Sequence, residues 1–108
     1  LILLHLLNWR RINMGKLDWD KVIKRYTRDP VSYTKTGKEF IVSKVTDSAI
    51  YIKLPSGEEY ISRANLEYAA HLINCSHKIE GPADYKRKVA DQRPAYAWAI
   101  LRDMGVFE

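Results

Sequence analysis

Between Asp18 and Tyr26 the apolar side chains Trp19, Val22, Ile23 and Tyr26 recur at three- and four-residue intervals. That spacing gathers them on one face of a helix. Asp18 stands where an N-cap belongs, and Asp29-Pro30 ends the segment. After Gly37 the period shortens. Phe40, Val42 and Val45, then Ile50, Ile52 and Leu54, then Tyr60 and Ile61 lie in short runs parted by Asp47-Ser48 and Pro55-Ser56-Gly57. Runs rich in β-branched and aromatic residues between turn-forming pairs predict three strands in an antiparallel meander. Ile50, Ile52 and Leu54 alternate with Tyr51 and Lys53, so one face of the sheet is buried and the other is wet.

The helical period then returns. Ser62 is placed as an N-cap before a stripe of Leu66, Ala69, Ala70 and Ile73. A loop follows from Asn74 to Gly81, and Pro82 fits the first turn of a helix running to about Val89. Asp91 opens a last helix, with Pro94 in its first turn, Ala97, Ile100, Leu101 and Met104 facing inward and Gly105 as its C-terminal cap. Val106 and Phe107 can fold back over that cap. The predicted fold is therefore α+β: an N-terminal helix, a three-stranded antiparallel meander, then three helices, forming one domain over residues 14–108.

Residues 1–13 stand apart as an apolar extension. Positive charge follows the apolar run instead of preceding it, and the run is far shorter than the ~20 residues of a membrane helix. It reads as neither a signal peptide nor a membrane span. Either Leu4, Leu7 and Arg11 begin an amphipathic helix, or Met14 is the true start of the chain.

Composition narrows the function classes. The 108 residues carry 18 Lys and Arg against 13 Asp and Glu, a net charge of +5 that favours polyanionic partners. Cys75 is the single cysteine, so no intramolecular disulfide forms, and the cell interior, the cytoplasm, is the expected compartment. His71 and Cys75 share a helical face, but no second cysteine or nearby carboxylate completes a metal set. The five glycines are isolated, which excludes a Gly-rich phosphate loop. No acid, base and nucleophile converge. No catalytic residue, metal, cofactor or small-molecule substrate is expected.

Recognition is the remaining class. Lys86, Arg87 and Lys88 lie on one short helix and Arg93, Tyr96, Trp98 and Arg102 on the next, joined through Ala90-Asp91. As a helix-turn-helix pair, Arg93 and Tyr96 would approach DNA bases while Lys86, Arg87 and Lys88 took phosphates, with Arg102 among the contact residues. The alternative is a protein partner, or a second copy, held by exposed aromatics such as Trp98, Tyr51 or Trp9; Trp98, off the inward stripe of its helix, either closes the core edge, the favoured reading, or anchors such a partner. Lys21, Lys24, Arg25 and Arg28, on the first helix, read as a solvated face.

The strand end Ile61-Ser62-Arg63, the run Asn65-Leu66-Glu67-Tyr68-Ala69 and the C-terminal Pro94-Ala95-Tyr96-Ala97-Trp98-Ala99-Ile100-Leu101 carry a resemblance. From about Gly37 to Met104 the chain resembles small prokaryotic α+β domains that accompany restriction-endonuclease-like, phage or other mobile-element proteins. The resemblance implies a DNA-related setting and no reaction.

Overall fold

The structure is a computed structural model and is described over residues 17–107. Its elements run α1 (Trp19–Arg28), β1 (Val31–Tyr33), β2 (Glu39–Val45), β3 (Ala49–Leu54), β4 (Gly57–Ser62), α2 (Arg63–Asn74), α3 (Pro82–Lys88) and α4 (Pro94–Asp103). The strands form one antiparallel sheet in sequence order. The fold is α+β, but the sheet has four strands where three were expected. The added strand, β1, pairs Val31 with Ile41 and Tyr33 with Glu39. Only Ser32 of β1 points inward, so the strand has no apolar alternation to announce it.

Local chemistry fixes the helix ends. Asp18 Oδ1 accepts from Asp20 N at 3.1 Å and Lys21 N at 3.4 Å, satisfying donors the first turn of α1 leaves open. Asp29 is extended because the following Pro30 bars it from the helical region. Ser62 Oγ accepts from Asn65 N at 3.1 Å and starts α2 directly at the end of β4. At the end of α4, Gly105 takes φ +71°, and Val106 N donates back to Leu101 O at 3.2 Å. Val106 is buried and Phe107 stacks on Trp98, so the C-terminus folds back as the sequence predicts.

The last helix starts three residues later than expected, at Pro94. Proline at the first helical position excludes its predecessor from the right-handed helical region, and Arg93 adopts φ +47° and ψ +54° instead. Asp91 to Arg93 therefore belong to the connection. Gln92 anchors it: its Oε1 accepts from Ser62 N and Asn65 Nδ2, both at 2.9 Å.

One core lies between the helices and the inner face of the sheet. Phe40, Val42, Ile50, Ile52 and Ile61 meet Trp19, Val22 and Tyr26 of α1, Leu66, Ala69 and Ala70 of α2, Tyr85 of α3, and Ala97, Ile100 and Leu101 of α4. A bulge at Ser43 keeps the β2 side chains in phase. Val42 and Val45 are three residues apart, and the extra residue between Val42 and Lys44 brings Val45 back toward the core. The outer face of the sheet stays open.

Candidate binding surfaces

The C-terminal helix pair holds its cations close. Arg87 pairs with Asp84 at 2.5 Å, Lys86 with Asp91 at 3.9 Å and Arg93 with Glu59 at 2.7 Å. Lys88 Nζ donates to Lys78 O at 2.6 Å, and Arg102 donates to Tyr33 O at 2.5 Å and to Asp103 Oδ1 at 3.2 Å. Tyr96 sits edge-on to Phe40 with ring centroids 5.0 Å apart. Ala97, Ala99, Ile100 and Leu101 are buried, which leaves α4 without the free side a groove-reading helix needs. Each cation named for the pair has an intramolecular partner, and Tyr96 packs against the sheet instead of facing outward.

Trp98 closes the edge of the core. Its Nε1 donates to Ile79 O at 3.0 Å, its ring stacks on Phe107 at 5.2 Å, and Lys35 and Arg102 lie over it at 5.6 and 5.7 Å. Trp9 lies outside the described residues. Tyr51 lies on the open side of the sheet, 5.9 Å from Tyr60, with Lys44 Nζ 4.5 Å above its ring.

That open side gathers most of the exposed large hydrophobic side chains among the described residues. Of the four exposed large hydrophobic side chains, Tyr33 (49%), Ile41 (41%) and Tyr60 (51%) all lie on it, and the fourth, Tyr68, is on α2. The register sets Ile41 beside Val31 and Lys53, Lys53 beside Glu58, and Tyr51 between Lys44 and Tyr60. Ser43 Oγ donates to Glu58 Oε2 at 2.6 Å across this face. Tyr60 was visible in the sequence as a strand residue, though not its outward side. Tyr33 was not, because β1 was not.

A second region lies between α1 and the end of α4. Lys21, Lys24, Arg25 and Arg28 surround an open groove of about 300 Å³ with Met104 and Asp103. Arg25 is fixed there. It donates to Asp29 O and Val31 O and lies 3.7 Å from Asp103 Oδ2. Lys21, Lys24 and Arg28 are exposed, and none forms an ion pair within the described residues. Their spacing of three and four residues puts them in one row along the helix.

Asp103 gathers Tyr26 and Ser32, whose hydroxyls both donate to Oδ2, with Arg25 and Arg102. Burial, then the charge of Asp103 and its hydrogen bond, push the Tyr26 phenol far above its ordinary value, so it acts here as a fixed donor. The junction ties α1, β1 and α4 together, with Ser32 buried within it. Cys75 Sγ lies 3.7 Å from His71 Nε2, as their spacing predicts. Among the described residues no three His, Cys, Asp or Glu side chains are grouped to hold a metal, and no helix is long and apolar enough to cross a membrane. No family model, curated protein or solved structure matches the chain.

Proposed function

We propose that this chain is a non-catalytic module that binds nucleic acid through the exposed face of α1, and not through the C-terminal helix pair. One observation carries the reading: Lys21, Lys24 and Arg28 form an exposed row without ion-pair partners in the described residues, whereas the cations of the helix pair are engaged. At 1.5 Å per residue the row is about 10.5 Å long. Along one strand duplex DNA presents one backbone charge per about 3.4 Å of axis, so about three phosphates lie along such a row. A line of cations suits a polymer of phosphates better than a single one.

The same helix is a poor fit to a lipid surface. Membrane-surface helices expose an apolar side to the acyl region, and Trp19, Val22 and Tyr26 of α1 are turned into the core. Contacts made only to the backbone carry no sequence information, so binding should be indifferent to base sequence.

Fluorescence anisotropy of the full chain with a labelled duplex, repeated over a range of salt, tests this reading. Three phosphate contacts predict a slope of log K against log salt of about −2.7, at about 0.9 per phosphate. Replacing Lys21, Lys24 and Arg28 together by Gln should weaken binding by about tenfold or more and flatten the slope. Replacing Lys86 and Arg87 by Gln should change neither. Absence of binding at low salt, or loss of binding only in the Lys86 and Arg87 variant, overturns the reading.

A further inference from the structure

We infer that the open face of the sheet is a self-association surface, on which a second copy of this chain packs face to face. The face is aromatic and uncovered: Tyr33, Ile41 and Tyr60 are among the most exposed large hydrophobic side chains in the described residues, and Tyr51 lies between Lys44 and Tyr60. Exposed apolar surface of this kind is what a partner removes from water.

Charge selects the partner. The outward strand residues include Lys44 and Lys53 against Glu39 and Glu58, two positive and two negative, so the face carries no net formal charge. A polyanion gains nothing from a neutral surface. Two copies of a chain of net charge +5 repel one another elsewhere, but not here. The face is also complementary to itself. A two-fold axis parallel to the strands and between β2 and β3 sets Lys44 of one copy over Tyr51 of the other, repeating the cation–ring contact already present within each chain. The helices of each copy then lie on the outside, and α1 keeps its exposed row.

The size of the face sets the strength. Four strands at about 4.8 Å spacing and six residues at about 3.3 Å give a plane of about 14 by 20 Å. That is roughly 300 Å² per copy, well below the ~800 Å² of a standard interface. An interface this small is expected to hold only a weak, transient dimer.

Sedimentation equilibrium of the full chain from about 10 μM to about 500 μM should show the mass rising from monomer toward dimer across that range. Because the contact is aromatic and neutral, raising salt should preserve or strengthen it, the opposite of the effect on nucleic-acid binding. Tyr60→Lys and, separately, Ile41→Lys place a like charge at exposed positions that tolerate it and should hold the chain monomeric throughout. Neither variant removes a cation of the α1 row, so both should still bind duplex DNA at least as well as the parent, and this inference can fail without the function proposed above failing. A strict monomer at the highest concentration overturns the inference. So does a dimer that persists in both variants, or one that dissociates as salt is raised.

Discussion

The phenol of Tyr26 donates to Oδ2 of Asp103 at 2.9 Å, joining two residues 77 positions apart in sequence. The same oxygen accepts from Ser32, while Arg25 and Arg102 approach the carboxylate at 3.7 and 3.2 Å. One carboxylate thus holds the first helix, the edge strand and the last helix of the domain. Asp103 and Arg25 also line the groove beside the cationic row of α1.

Replacing Asp103 by Ala removes the acceptor and leaves the Tyr26 and Ser32 hydroxyls without their partner. An expected loss of about 2–3 kcal/mol follows, below the range for a fully buried pair because Arg25 and Arg102 retain access to water. Tyr26→Phe removes one donor from a site that keeps others, and about 1 kcal/mol is expected. Urea unfolding of the two variants measures both. Equal effects would show that the carboxylate holds α1 through Tyr26 alone.

The junction also predicts a response to alkali. Burial raises the Tyr26 phenol above its ordinary value near 10, with Asp103 adding to the shift, and burial raises Tyr85 as well. A group whose folded pKa is raised stabilises the fold below its unfolded pKa, and that contribution is lost as pH rises from there toward the folded value. Stability should therefore fall progressively above about pH 10. In an alkaline absorbance titration, at least two of the seven phenols should remain protonated until the chain unfolds. Ionisation of every phenol before loss of the far-ultraviolet dichroism would contradict this.

Elements set by neighbouring residues were legible in the sequence. Asp18 and Ser62 cap helices through bonds spanning two or three residues, and Gly105 turns the chain within one. Most of what failed depended on distance. Strand β1 exists because β2 pairs with it, and its single inward residue is a serine. The start of α4 was misplaced for a local reason, the restriction that Pro94 imposes on Arg93, which a stricter reading of the proline would have caught. The binding surfaces were the least legible. Partners as remote as Glu59, 34 residues before Arg93, and Tyr33, 69 before Arg102, engage cations that look free when only the run of charge is read. The row on α1 was in plain view, but only the engagement of the others distinguishes it.

Trp98 supplies a direct test of where an aromatic side chain is spent. Its indole N–H is bonded to Ile79 O and its ring lies against Phe107, so truncation removes packing from the core edge. Trp98→Ala should cost about 3 kcal/mol or more and release the C-terminal residues Val106 and Phe107 from their packed position. Near-native stability would instead mark the side chain as a surface anchor, the role considered for it on sequence grounds.

Tyr85 predicts the opposite outcome from its counterpart Tyr26. Its ring is fully buried, but no partner for its hydroxyl is found among the described residues. Folding strips that hydroxyl of water and returns nothing, a cost of about 1–3 kcal/mol that the ring's burial must outweigh. Tyr85→Phe keeps the ring and removes the cost, so the variant should be at least as stable as the parent and up to about 1 kcal/mol more so. Tyr85→Ala should destabilise by about 3 kcal/mol or more, because the cavity it leaves lies between α3 and the core. Urea midpoints for the two variants, compared with Tyr26→Phe, separate a phenol that holds elements together from one that only fills space. A clear loss of stability in Tyr85→Phe would mean that the hydroxyl has a partner, such as a bound water, that stabilises the native state.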